Sequence, residues 1–420
     1  MDHPPRASLA LCCAVLLGGA AQAEPNPYYL GVSESVQHDG NLLRLPDGVQ
    51  PTNGFVQADT IMSTSLLGGF DQNISRQHLF GNLTLRDDRF RNNDILNNHG
   101  YTAAGGADWE SAERLSGNLR LVGTRNLASF SSQVGFVPKR NIETTRQLDT
   151  TVRVGAVTAF TVEGGAGYRS VDYSAEEYNR LEFRENRVSL GGRWRPDGAT
   201  SAGLGVRESR GRYPKFGEDA DGFVADRYTR RDLDLDASVV GAGASDLLAR
   251  LSLGQIRYEQ STQRDFTGVT GVLRWIWRPT GKLRLDTSLT RDPGQDSYFQ
   301  QYFGFNPDGS FGILDGTVEF SRITNAFRVQ AEYQASGKIS LDASFGLSRR
   351  SLAATSTANP GAPLNGSDHG QNYGFGAVWT PLRSLQFGCS WNHDLRRGGA
   401  PLSSDFSDTT YSCYGQFTLQ

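Results

Sequence analysis

Lysine is nearly missing from this 420-residue chain. Its 42 basic residues include only Lys139, Lys215, Lys282 and Lys338, so 38 are arginine, set against 45 acids for a net charge of −3. That balance leaves no basic footprint for nucleic acid. Cysteine is as scarce, with four residues in all, which excludes a disulfide framework as the basis of the fold. The six histidines, His3, His38, His78, His99, His369 and His393, include no pair at metal-ligand spacing, and Cys-x-x-Cys is absent. No metal and no cofactor is therefore expected. Apolar runs of about 20 residues are also lacking, which excludes a bundle of transmembrane helices.

The one extended apolar stretch, Ala7 to Ala21, follows Arg6 and ends in Ala21-Gln22-Ala23. A basic residue, a short apolar segment and an A-x-A site predict a secretory signal peptide over 1–23, cleaved before Glu24, with one domain over 24–420. Cys12 and Cys13 leave with it, and only Cys389 and Cys413 remain.

What the chain does have is glycine, 49 residues, and a period of two. Leu79, Gly81, Leu83 and Leu85 alternate with Phe80, Asn82, Thr84 and Arg86; Leu115, Gly117, Leu119 and Leu121 alternate with Ser116, Asn118 and Arg120. The pattern returns at Val188–Trp194, Leu233–Val239, Leu283–Leu289, Ile339–Leu347 and Tyr411–Leu419. Spacing of two is strand geometry, because successive side chains take opposite faces of a sheet.

Connection lengths alternate as well. Short ones fall at Asp71–Ser75, Ser111–Arg114, Pro196–Ala199, Arg278–Lys282, Ser336–Lys338 and Pro381–Ser384. Long polar ones fall at His38–Gln57, Asp88–Asn98, Asn126–Thr144, Asp172–Phe183, Arg212–Arg227, Asp292–Thr317 and Leu352–Gly370. The whole reads as an all-β, transmembrane, antiparallel up-and-down barrel of about 18 strands, with 16 to 20 as the range, in the outer membrane of a Gram-negative bacterium. Its short turns and both termini would lie in the periplasm. Trp109, Trp194, Trp275, Trp277 and Trp379 stand near the short-turn ends, where indoles belong at the headgroup level; Trp391 does not. The partners of such a chain are outer-membrane lipid and the barrel assembly machinery.

The polar face carries the functional expectation. By phase, Arg86, Arg120, Arg153, Arg187, Arg193, Arg250, Arg274 and Arg328 point away from the apolar face and would line a lumen as the substrate path. Arg169, Arg207 and Arg284 share that phase, as do Asp149, Glu163, Asp232, Asp234, Asp236, Asp286, Glu332 and Asp342. Two roles stay open for them: ion pairs that brace the wall, or a selectivity surface. No catalytic residues are assigned; Ser390, His393 and Asp394 lie close in sequence, but Ser390 and His393 fall on opposite faces of one strand. Cys389 and Cys413 sit symmetrically about residue 401, so a hairpin centred there would set them opposite each other; a disulfide and two free thiols both stay open.

Several segments are similar to the EpsL-like outer-membrane barrels of exopolysaccharide operons, the exosortase-associated kind. They are Tyr29-Leu30-Gly31-Val32, Asp59-Thr60-Ile61-Met62-Ser63, Arg76-Gln77, Asn98-His99-Gly100-Tyr101, Asp108-Trp109-Glu110 and Leu115-Ser116-Gly117. Arg125-Asn126-Leu127-Ala128-Ser129-Phe130, Arg140-Asn141-Ile142 and the terminal Gln416-Phe417-Thr418-Leu419-Gln420 continue the likeness. The resemblance implies a barrel that helps move a polysaccharide chain across the outer membrane, with periplasmic or inner-membrane export components as partners. A general or nutrient-uptake porin is the alternative; composition and period alone imply only the barrel.

Overall fold

The computed structural model describes residues 26–419 apart from 112–113, 131–138, 156–157, 242–243, 293–300, 306–310, 316–320, 356–362, 399–402 and 404. The expected signal peptide lies outside the described residues. Eighteen strands form one sheet. In chain order they are β1 (Tyr28–Asp39), β2 (Asp59–Ile74), β3 (Gln77–Phe90), β4 (Asn98–Ser111), β5 (Leu115–Leu127), β6 (Ile142–Val154), β7 (Phe160–Tyr173), β8 (Phe183–Trp194) and β9 (Thr200–Asp219). They continue as β10 (Gly222–Gly241), β11 (Ser245–Tyr258), β12 (Phe266–Thr280) and β13 (Leu283–Asp292). After a small separate hairpin of β14 (Gln301–Phe305) and β15 (Phe311–Asp315) come β16 (Ser321–Ser336), β17 (Ile339–Thr355), β18 (Pro363–Leu382), β19 (Leu385–Gly398) and β20 (Phe406–Leu419).

Each sheet strand pairs antiparallel with the next, and β1 pairs with both β2 and β20, with Leu30 opposite Leu419. The sheet is therefore a closed up-and-down barrel with no free edge. Both ends of the described chain lie on the short-turn side.

The alternation of side chains becomes an outside and an inside. Leu30, Val188, Leu190, Leu204, Val206, Leu251 and Leu253 point outward and are 47–63% exposed. A continuous apolar wall left bare on a single-layer barrel fits lipid and does not fit water. Aromatic side chains rim it at the short-turn end: Trp275 stacks on Trp277 with ring centroids 5.5 Å apart, and Trp379 on Phe387 at 5.6 Å. The chain is an outer-membrane β-barrel.

Two expectations about connections are corrected. Arg212–Arg227, read as a loop, instead extends β9 and β10 into a hairpin that turns at residues 220–221. Its alternation is masked because polar residues occupy both faces there. The span Leu352–Gly370 likewise belongs mostly to β17 and β18, which remain paired as far as Thr355 and Pro363. On the outward face of β19 and β20, Cys389 stands opposite Cys413 and the two are joined by a disulfide, with Cα atoms 4.1 Å apart.

Candidate functional site in the barrel lumen

Every arginine assigned to the polar face by phase points into the barrel. They are distributed in two ways. Along β3 to β8 and β11 to β13 several inward guanidinium groups remain in reach of water beside a carboxylate, whereas Arg169 packs over Phe183 with its Nε and one Nη buried. Arg86 meets Asp88 at 3.0 Å, Arg120 meets Asp108 at 2.7 Å, and Arg187 meets Asp149 at 2.5 Å. Arg250 meets Asp236 at 2.8 Å. Exposure of these four side chains runs from 14% at Arg187 to 41% at Arg86. Arg328 lies on the same face, between Ser288 and Gly346 of the adjoining strands.

Near the short-turn end the ratio of charges changes. Glu163 alone faces three guanidinium groups, from Arg153 at 3.6 Å, Arg193 at 3.0 Å and Arg195 at 3.9 Å. Asp286 serves both Arg274 at 2.5 Å and Arg284 at 3.1 Å, while Arg284 also lies 3.9 Å from Glu332. A carboxylate can accept from two or three donors, but it neutralises only one of them. The positive surplus is therefore local to Glu163, whereas Arg274 and Arg284 are balanced by Asp286 and Glu332.

Between them, on β9 and β10, the inward charges are buried. Arg207 contacts Asp232 at 3.3 Å and Asp234 at 3.1 Å, and Arg230 contacts Asp232 at 2.7 Å. Arg207 is 6% exposed and Arg230 3%, so water does not reach this network as it reaches the other arc. Ser252 donates to Asp234 at 2.5 Å. Toward the long-loop end, Val171, Phe183, Tyr213, Tyr228, Ile256 and Phe266 pack together on the same inner wall. Tyr228 lies over Gly211, whose missing side chain leaves room for the ring, and its hydroxyl donates to Glu185. Arg264, in the short helical turn Thr262–Arg264, packs over Tyr258 and Tyr213 with its guanidinium carbon 4.4 and 4.9 Å from the ring centres. Burial opposes the charge of Arg264, but Tyr213, Tyr258 and Asp226 together hold its pKa above the ordinary value. This arc is a filled wall.

The first long loop narrows the long-loop mouth further. Leu43 packs against Phe90, Leu96 and Phe130, and Arg44 pairs with Asp408 on the inner face of β20. The Asn41 amide donates to the same carboxylate at 2.9 Å.

The sequence reading placed Arg207 among the lining residues without separating it from its exposed neighbours, and it missed Arg230 and Arg195. Arg230 stood between the loop read over Arg212–Arg227 and the alternation that begins at Leu233, and Arg195 sits one residue past a strand end. The phase of Asp232 and Asp234 was the available signal for Arg230. Ser390 and Asp394 point inward, whereas His393 points outward, stacks on Trp391 with rings 6.1 Å apart, and bonds Thr409 at 2.8 Å. Those three residues do not form a hydrolytic site. Among the described residues, no group of three or more His, Cys, Asp or Glu is placed to hold a metal ion.

No family model and no curated relative matches the chain. Among solved structures it is similar to the Pseudomonas aeruginosa protein OccK3 (OpdO), with 14% identity, 93% of this chain and 95% of that one covered, and a TM-score of 0.45. It is similar to OccK1 (OpdK) of the same organism at 12% identity, covering 93% and 99%, with a TM-score of 0.44. The siderophore receptor PirA from Acinetobacter baumannii aligns at 7% identity over 94% of this chain and 81% of its own, with a TM-score of 0.42. Likeness at this level says nothing about solute or direction, and the fold stands on the strand pairing itself.

Proposed function

We propose that the chain is a porin that passes small anionic solutes through an arginine-lined lumen. The observation that supports this most directly is the single carboxylate of Glu163 set among Arg153, Arg193 and Arg195. A surplus of guanidinium groups in a water-reached wall raises the local concentration of anions, and arginine offers planar paired donors to carboxylates. The filled β9–β10 arc and the inward seat of Arg44 favour small solutes, because they interrupt the continuous surface along which a long polymer would slide. In a planar bilayer under a potassium chloride gradient, the purified barrel should give a reversal potential of chloride-preferring sign. Arg193→Gln combined with Arg274→Gln should move that potential toward zero. A cation-preferring pore would remove the reading.

The resemblance to EpsL-like barrels supports a second reading, export of an exopolysaccharide. Under it, replacing Arg120, Arg153, Arg193 and Arg274 together by Ala should reduce secreted polymer while the barrel still assembles. Normal secretion from a strain lacking the gene would end that reading and leave the porin untouched.

A further inference from the structure

On the outer surface of the barrel, just above the apolar wall, a second set of arginines faces away from the lumen. Arg184 of β8 stands directly opposite Arg212 of β9, and Arg212 directly opposite Arg227 of β10. One step nearer the membrane, Asn186, Arg210 and Thr229 form the next outward row, and below them come Val188, Glu208 and Arg231. Leu190, Val206 and Leu233 then begin the apolar band.

Like charges directly opposite on adjacent strands are destabilising, so three in one row call for a counter-charge. The neighbouring acids are already engaged elsewhere. Glu208 takes Arg210 at 2.7 Å and Arg231 at 2.9 Å, Asp172 takes Arg146 at 3.2 Å, and Asp265 takes Arg257 at 3.1 Å. Glu259 reaches Arg227 at 3.6 Å, with both side chains more than half exposed. Arg184 and Arg212 have no ion-pair partner among the described residues.

We infer that this row is a docking site for the phosphate groups of a phosphorylated glycolipid of the outer leaflet. Charge complementarity selects the headgroup, since arginine forks fit phosphate oxygens in pairs. Height selects the lipid. The row lies six residues from Leu190, Val206 and Leu233, about 20 Å along the strand at ~3.3 Å per residue, and a strand tilt of roughly 40° brings it to about 15 Å above the band, at headgroup level. Val188, four residues below the row, and Val206 and Leu233, six below, are 58%, 56% and 40% exposed and stand ready to receive the chains. The site belongs to the outer wall and does not depend on what the lumen passes.

The test uses the full barrel purified in a neutral detergent, with bisphosphorylated lipid A as probe and native mass spectrometry to count bound lipid. Lipid A should be retained, and lipid A stripped of phosphate should bind at least about tenfold more weakly, the change expected from losing one charge-assisted contact. Arg184→Gln with Arg212→Gln should weaken binding of the phosphorylated form by a similar factor, while Arg184→Lys with Arg212→Lys should keep most of it. A heat-shifted band on an unboiled gel checks that each variant is folded, and the comparison between lipids on the unaltered barrel stands without any variant. Equal binding of phosphorylated and stripped lipid would overturn the inference. So would displacement of lipid A by millimolar inorganic phosphate, which would assign the row to free anions.

Discussion

Asp149 on β6 reaches Arg187 on β8 across an entire intervening strand, 2.5 Å apart, above the bare Cα of Gly167 on β7. A methyl group at Gly167 would press on both the Asp149 carboxylate and the Arg187 guanidinium. The glycine is what brings next-but-one strands into a direct ion pair, and it adjusts where the Arg187 charge sits in the lumen.

Gly167→Ala should therefore separate this pair without unfolding the barrel. The expected loss is about 1–3 kcal/mol in denaturant unfolding, as for overpacking generally. Single-channel conductance should change as well, because the displaced Arg187 side chain enters the water-filled space. An unchanged conductance and stability would mean that the pair tolerates the added group.

The buried network predicts a larger effect. Arg230 holds Asp232 at 2.7 Å, both almost fully out of water. Arg230→Met removes the cation that lies between buried Asp232 and Asp292 and leaves Asp232 with Arg207 alone, a change that costs about 3–5 kcal/mol. Arg120→Met, on the water-reached arc, should lose under about 1 kcal/mol. Unfolding of the two variants in urea, followed by the heat-shifted gel band, makes the comparison.

Orientation can be checked with two engineered cysteines and a bulky polyethylene glycol maleimide. Asn53→Cys, in the long loop between β1 and β2, should be labelled on intact cells. Lys338→Cys, in the short turn between β16 and β17, should be labelled only after the outer membrane is permeabilised. The opposite pattern would invert the barrel.

The disulfide makes a fourth case. Intact-mass measurement of unreduced, alkylated protein should find Cys389 and Cys413 unmodified and bonded. Cys389→Ser with Cys413→Ser should lower stability by roughly 3 kcal/mol on loop-entropy grounds, for the 24-residue separation.

How much of this was readable in advance differs from one element to the next. At β3 and β5 one face is apolar and the other polar, so strand, phase and the inward direction of Arg86 and Arg120 follow from spacing alone. At β9 and β10 the upper halves present arginine on one face and tyrosine or aspartate on the other. Period two survives there, but the contrast between the faces does not, and the hairpin reads as a loop. Arg184 and Arg212 were invisible for the same reason, because the register that sets them opposite each other depends on pairing partners. Ile276 and Val378 point inward yet are 8% and 7% exposed; what covers an inward apolar group is a matter of three-dimensional packing. Likewise, phase says that Arg207 and Arg187 share a face, and nothing local says that one is sealed and the other wet.

The seam between β1 and β20 has a kinetic consequence. Nearly every wall contact joins strands adjacent in the chain, so hairpins can form as they emerge, each closing a short loop. The hydrogen bond from Asn41 to Asp408 joins residues 367 apart. Contacts of such separation form late and slowly, because loop-closure entropy is lost before they return anything. Closure of the wall therefore waits on the meeting of the first strand with the last, and Asn41 and Arg44 tie that seam through Asp408.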